Sequence, residues 1–253
     1  MATKKRTLLG MLTPSSNTVL EPITSAMVTG LAGVSAHFGR FRVTEISLSD
    51  TALGQFDNGP LLEASRLLAD ARVDVIAWNG TSGGWLGLDA DRKLCEEITD
   101  ATGIPATTST LALAEAFRAA GATRYGLATP YLDAIQQKIV ANFETEGFAC
   151  VAERHLNDRG NFSFSEVTEE QITGMVREVA ADAPEAIAIY CTNLRGAPIV
   201  DELEREIGIP IFDSISVVVW KSLLIAGVDP HGVKGWGRLF SDEALTAPKV
   251  QHA

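Results

Sequence analysis

The stretch that decides the fold is Glu185-Ala186-Ile187-Ala188-Ile189-Tyr190-Cys191-Thr192-Asn193-Leu194-Arg195-Gly196. It has an apolar run of strand length, then a cysteine and Thr-Asn, and a helical pattern that begins near Pro198. Open α/β folds bind ligands at the carboxyl ends of their strands, where the next helix offers free N–H groups. We therefore expect Cys191 to lie at the ligand-binding edge of a parallel sheet.

The chain carries the same design a second time, earlier in the sequence. An apolar strand over Val73–Trp78 leads into Gly80-Thr81-Ser82, where the later stretch has Cys191-Thr192-Asn193. Two further pairs of matching segments occur in the same order, namely Gly10–Pro14 with Gly126–Pro130 and Gly103–Pro105 with Gly208–Pro210. A shared order at nearly constant spacing favours a duplicated α/β unit.

Strands alternate with helices along the whole chain, which predicts parallel sheets covered on both faces. The fold class is α/β, with two pseudo-symmetric Rossmann-like units, a parallel four-stranded sheet in each and the active site in the cleft between them. We assign residues 1–112 and 216–253 to the first unit and 113–215 to the second. The segment Gly235–Phe240 is expected to pack back on the first unit, Val34–Ser47 to be extended, and Asp57–Pro60 to be a polar loop.

Composition narrows the functional classes. The chain has 253 residues, 46% of them hydrophobic, and a formal net charge of −11. Such an acidic chain disfavours nucleic acid and anionic membranes as partners. No apolar run approaches a membrane span, and without a signal-peptide pattern we expect a cytoplasmic location. Walker, dinucleotide-binding, zinc-protease and nucleophile-elbow motifs are missing from the sequence, and no metal-ligand spacing occurs, so we predict no metal site.

Cys191 is the candidate catalytic residue. A thiol at a strand end can transfer a proton to carbon or attack it. A helix that begins just after it would lower the pKa of the thiol. The alternative is a small core residue, which is the ordinary role of a lone cysteine in an apolar stretch. For Cys95 and Cys150 a place in the core is a sufficient explanation.

The candidate substrate-binding residues follow the strand ends of both units. If the units face each other, their hydroxyls, amides and main-chain N–H groups would converge on a carboxylate or an enediolate. The alternative for the Ser, Thr and Asn residues is ordinary helix capping, and for Tyr131 a place at the edge of the core. Large apolar side chains near Gly80, namely Trp78, Trp85, Leu86 and Leu88, line a pocket or belong to the core. The first candidates are Asn17, Gly80, Thr81, Ser82, Tyr131, Thr192 and Asn193.

At these motifs the chain resembles the aspartate/glutamate racemase superfamily, in the branch that holds maleate cis-trans isomerase and arylmalonate decarboxylase. The resemblance covers nearly the whole chain. The opening motif Gly10–Thr18 is similar to that of the isomerases, whereas Gly80–Ser82, Ala128–Tyr131 and Gly237–Phe240 are similar to the decarboxylase. Cys191–Arg195 resembles the segment of the second catalytic cysteine. Racemases and isomerases of this superfamily use two facing cysteines, but here Gly80 stands at the first position.

This resemblance implies an enzyme that needs no cofactor and uses Cys191 at the carbon next to a carboxylate. The one-cysteine arrangement favours a decarboxylase of a malonate-type acid. The alternatives are an isomerase or racemase of a small dicarboxylate and a catalytically silent dicarboxylate-binding protein. By the same resemblance Asn17, and Asn161 on the polar loop, would bind the carboxylate. The expected partner is a small carboxylate or dicarboxylate, and dimers or higher oligomers are common in the superfamily.

Overall fold

A computed structural model describes residues 6–43 and 58–246 of the chain. Within them lie two four-stranded sheets with the strand orders β2-β1-β3-β4 and β6-β5-β7-β8, and every strand pair is parallel. The strands are β1 Thr7–Pro14, β2 Val34–Phe41, β3 Val75–Trp78, β4 Ala106–Thr108, β5 Arg124–Thr129, β6 Ala149–His155, β7 Ala186–Ile189 and β8 Ile211–Asp213. The predicted duplication into two parallel four-stranded units is therefore confirmed.

Helices connect the strands within and between the two sheets. The longer ones are α1 Leu20–Val28, α2 Asn58–Asp70, α4 Leu88–Thr102, α5 Ser109–Ala120, α6 Asp133–Thr145, α7 Glu169–Ala180, α8 Val200–Ile207 and α9 Ser214–Ile225. Within the described residues there are also two single-turn helices, α3 Gly83–Leu86 and α10 Glu243–Thr246. Turns of 3₁₀ helix lie at Ser163–Glu166, Ala197–Ile199, Pro230–Gly232 and Arg238–Phe240.

The repeated glycines have the same physical roles in both units. Gly10 in β1 and Gly126 in β5 lie opposite Ile76 and Ile187, respectively. A Cβ at Gly10 would lie 2.9 Å from the Val73 side chain, so a larger residue would not fit there. Gly103 and Gly208 end α4 and α8 with φ angles of 71° and 76°, which glycine adopts at little cost.

Some element limits differ from the sequence prediction. Asn58, Gly59 and Pro60 begin helix α2 rather than forming a loop, whereas Asp57 lies outside the described residues. β2 ends at Phe41, and the predicted extension over residues 44–47 also lies outside them. The single turn α3 was missed because its sequence, Gly-Gly-Trp-Leu, is rich in glycine, which disfavours a helix.

The segment after α9 contacts both units. Arg238 donates its N–H to Glu204 Oε2 of α8 at 2.6 Å and a guanidinium N–H to the Gly208 carbonyl at 3.0 Å. This part of the tail therefore contacts α8 of the second unit through the buried Glu204 carboxylate, and it also contacts α9. The expectation that Gly235–Phe240 packs on the first unit stays a prediction. Helix α9 contacts β3 and β4 as well as β8. The domain limits given above stay a proposal.

Asp213 carries a buried carboxyl group at the start of α9. Its Oδ1 accepts the N–H groups of Ile215 and Ser216 at 2.8 and 3.2 Å, whereas Oδ2 has no hydrogen-bond partner within the described residues. Burial raises the pKa of Asp213 to about 7, although the two N–H groups act in the opposite direction. The neutral carboxyl is thus the form that the fold prefers.

We expect the protein to be more stable at pH 5.5 than at pH 8, and Asp213→Asn to weaken this difference. The pKa of Asp213 is about 7 in the folded protein and about 3.9 in the unfolded chain. The free energy of unfolding that this difference contributes is fully present below about pH 4 and is lost as the pH rises to about 7. Between pH 5.5 and 7 the loss is about 2 kcal/mol, or roughly 4–8 °C in Tm. Calorimetry of both proteins checks it. Equal pH dependence in the variant would contradict this account.

Candidate active site

Gly80 and Cys191 occupy equivalent places in the two units. Each lies two residues beyond the last residue of its strand, Trp78 in β3 and Ile189 in β7. Carboxyl ends of parallel strands gather along one edge of a sheet, and the two edges meet across a shared cleft. The structure therefore brings together the two segments that the sequence repeat singled out.

Hydrogen bonds join the units at the base of this cleft. The Thr192 hydroxyl donates to the Asn79 carbonyl at 2.9 Å. Asn17 Nδ2 donates to the Thr192 carbonyl at 3.0 Å and to its hydroxyl at 3.2 Å, while Asn17 Oδ1 accepts from the N–H groups of Val19 and Leu20. Asn17 thus uses its donors and its acceptor inside the protein. Its role as a carboxylate ligand stays a prediction.

The loop that carries Asn161 is tied to the same place. Asn161 Nδ2 donates to Ser16 Oγ at 2.9 Å, and the main-chain carbonyl of Asn161 accepts from Asn193 Nδ2 at 2.5 Å. Asn193 Oδ1 in turn accepts the N–H of Thr18 at 3.0 Å. The loop is therefore held against the end of β1 by groups far apart in sequence.

A small cavity of about 20 Å³ opens between the units. Asn17, Asn193, Leu86 and Leu88 are not among its walls. Its lining combines apolar side chains, which we call the apolar wall (Val43, Trp78 and Trp85), with hydroxyl and amide groups, which we call the polar wall (Thr81, Ser82, Tyr131 and Asn161). No charged side chain is among the described residues that line it. The lining residues are Pro14, Val43, Trp78, Gly80, Thr81, Ser82, Trp85, Tyr131, Asn161, Cys191 and Thr192.

The hydroxyl groups of the polar wall are held in place by a buried network. Thr81 Oγ1 and the Tyr131 hydroxyl are 2.5 Å apart. The Tyr190 hydroxyl donates to the Thr81 carbonyl at 3.1 Å and lies 2.7 Å from Thr110 Oγ1. Asp91 joins this network through side-chain hydrogen bonds with Thr108 and Thr110. Burial raises the pKa of Asp91 to about 6, and these hydrogen bonds oppose the rise. Donors fixed in this way pay little reorganisation energy when negative charge develops.

The Cys191 thiol is buried, with 3% of the residue exposed. Burial raises its pKa to about 11, while the Tyr131 hydroxyl and the Asn193 N–H, 3.4 Å from Sγ, favour the thiolate and oppose the rise. The expectation that a helix N-terminus lowers this pKa was wrong. The α-helix begins only at Val200, and the desolvation of the thiolate outweighs its hydrogen bonds. At neutral pH the group is a thiol, suited to donate a proton.

Sequence reasoning missed Val43 as part of the apolar wall and Tyr190 and Asp91 as supports of the polar wall. Tyr190 precedes Cys191, which was already singled out, but Val43 and Asp91 reach the site only through the fold. The other cysteines line no part of the cavity. The described residues contain no group of three metal-ligating side chains and no helix long and apolar enough to cross a membrane.

Known proteins are similar to this chain over most of its length. The maleate isomerase of Nocardia farcinica is 28% identical over 94% of this chain and 98% of its own. The arylmalonate decarboxylase of Bordetella bronchiseptica is 26% identical over 72% of this chain and 77% of its own. A structure of the Nocardia farcinica maleate cis-trans isomerase, a cysteine-to-serine mutant with a covalently bound succinylcysteine intermediate, superposes with a TM-score of 0.83. It is 26% identical and covers 92% of this chain and 98% of that one.

A family model described as arylmalonate decarboxylase matches residues 18–240. The match includes both strand ends, the hydroxyl network and the cysteine of the cavity. Together with the fold, it confirms the resemblance to the maleate isomerase and arylmalonate decarboxylase branch that the motifs indicated. The chain belongs to the arylmalonate decarboxylase family, whose relatives are carboxy-lyases and isomerases.

Proposed function

We propose that this protein is a cofactor-independent decarboxylase of a malonate-type acid that uses Cys191 as its proton donor. The observation that carries the proposal is the asymmetry of the cavity. A single buried thiol, Cys191, lines it together with the hydroxyls of Thr81, Ser82 and Tyr131, and the opposite strand end presents Gly80. One acid and one set of oxyanion donors are the groups that this chemistry needs.

The polar wall would hold the carboxylate that the product retains. Ser82 and the hydrogen-bonded Thr81–Tyr131 pair supply hydroxyl donors, one from the pair, and Asn161 supplies an amide. Main-chain N–H groups at Gly80 and Thr192 lie beside them in sequence. These donors stabilise the negative charge that moves onto the retained carboxylate as it becomes an enediolate. In this scheme Asn17 and Asn193 support the wall through their hydrogen bonds.

The other carboxylate would face the apolar wall of Val43, Trp78 and Trp85. Loss of hydration disfavours its charge there, and no cation of the described lining compensates. When the bond to the α-carbon breaks, its electron pair remains on that carbon and CO₂ leaves. The Cys191 S–H then donates its proton to the α-carbon, and the thiolate regains a proton from solvent.

A second candidate is a maleate-isomerase-like reaction. The similarity to the Nocardia farcinica isomerase, whose mutant structure contains a succinylcysteine intermediate, favours it. Here the attacking nucleophile would be Cys191, because Gly80 has no side chain. The high pKa of the Cys191 thiol opposes this route, since attack needs the thiolate.

The test is a proton NMR assay in D₂O with malonates, maleate, aspartate, glutamate and hydantoins. The wild type is compared with Cys191→Ala and with a matched control, Cys95→Ala, whose cysteine lies outside the cavity. Loss of CO₂ with deuterium at the α-carbon, absent only in Cys191→Ala, supports the decarboxylase. Isomerisation of maleate without CO₂ loss selects the second candidate. Binding seen as a melting shift without turnover would indicate a silent binding protein and overturn both.

A further inference from the structure

The indole ring of Trp78 fills the place where a side chain at Gly80 would lie. A Cβ built on Gly80 would fall 2.6 Å from Trp78 Cη2, and closer still to Cζ2 and Cε2 of the same ring. Real Cβ atoms do not approach other heavy atoms this closely. The Trp78 ring therefore leaves no room for a cysteine side chain at position 80.

The ring is held where it is. Trp78 is 1% exposed and lies in a tilted pair with Phe41, with ring centroids 4.9 Å apart. Its Nε1 donates to Ser82 Oγ at 3.4 Å. Rotation of the indole would break the pair with Phe41 and the hydrogen bond to Ser82.

We propose that Trp78 is a specificity-determining residue, which closes the Gly80 side of the cavity so that the α-carbon receives its proton only from Cys191. This proposal rests on the proposed function. An acid on one side of a planar enediolate gives one configuration at the α-carbon, whereas acids on both sides give both. Gly80 already removes the second acid, so Trp78 would act by excluding solvent water from that side and by preventing a cysteine at position 80 from acting until the indole is removed.

The test compares the wild type, Gly80→Cys, Trp78→Leu and the double variant. The first readout is Tm, which does not depend on any activity. Gly80→Cys overpacks the cavity and should lower Tm by about 2–12 °C. In the Trp78→Leu background the same change should cost much less, because the shorter side chain leaves room for the new thiol. Gly80→Cys combined with Trp85→Leu is the matched control, and there the full cost should persist.

The second readout is the configuration of the product from an α-methyl-α-aryl malonate. The wild type and Gly80→Cys should give one enantiomer, whereas the double variant should give a mixture, with enantiomeric excess falling at least twofold. Equal Tm losses from Gly80→Cys in both backgrounds would overturn the proposal, and so would a single Gly80→Cys variant that gives the same mixture as the double variant. If no malonate reacts, the proposed function fails, yet the Tm comparison still decides whether Trp78 excludes the thiol.

Discussion

Replacing Cys191 by alanine is expected to lower kcat/KM for a decarboxylated malonate by roughly 10²–10⁴-fold, the usual worth of a general acid. Cys191 is the thiol of the cavity, and burial keeps it protonated at neutral pH. In the proposed scheme alanine removes the proton donor but leaves the Thr81 and Tyr131 hydroxyls that would hold the carboxylate. Steady-state kinetics and ligand-induced melting shifts therefore should separate lost turnover from retained binding.

Two comparisons make the Cys191 result specific. Cys95→Ala should keep wild-type kinetics, because Cys95 lies in helix α4 and outside the cavity walls. Cys191→Ser should fall close to Cys191→Ala, since a serine hydroxyl is a much weaker acid than a thiol. Full activity in Cys191→Ala would show that another group donates the proton and would contradict the proposed chemistry.

Removal of the Tyr131 hydroxyl has the second largest expected effect. Tyr131→Phe should lower kcat by about 10²–10³-fold, the cost of losing one oxyanion donor. The hydroxyl lies 2.5 Å from Thr81 Oγ1 and lines the cavity together with Cys191, so the substitution removes one donor and leaves Thr81 with one fewer partner. Because the interaction strengthens as the enediolate forms, KM should change far less than kcat.

Tyr125→Phe provides the control for Tyr131→Phe. Tyr125 is another buried tyrosine, but it lies in β5 within an aromatic cluster around Phe117 and Phe143, away from the cavity walls. Its substitution should leave kcat and KM unchanged. A Tyr131→Phe enzyme that loses no more activity than Tyr125→Phe would remove Tyr131 from the oxyanion-binding group.

Much of the fold was predictable because the same strand and helix-end motifs occur in both halves of the chain. Fully buried parallel strands such as Ala186–Ile189 appear as unbroken apolar runs, and they need no distant partner to be recognised. Gly103 and Gly208 mark helix ends through a backbone conformation that few other residues adopt. Because these signals are local, their repeated order along the chain is enough to indicate a duplicated unit.

The parts that the sequence could not supply depend on contacts between distant residues. The local sequence does not show that the Asn17 amide donates to the Thr192 carbonyl. It also does not show that the Trp78 ring occupies the space beside Gly80. The pKa of Cys191 is a similar case. A cysteine before a helical pattern predicts a stabilised thiolate, whereas the packing of both units around it produces the opposite shift.

The measurement that tests the central claim most directly is the pH dependence of kcat/KM for decarboxylation. This quantity reports the ionisation of the free enzyme, in which the pKa of Cys191 is raised to about 11. If the thiol is the acid, kcat/KM should be flat from about pH 7.5 to 10 and should fall as the pH approaches that pKa. If a Cys191 thiolate were the reacting species, kcat/KM would instead rise about tenfold per pH unit over the same range, and that result would contradict the account.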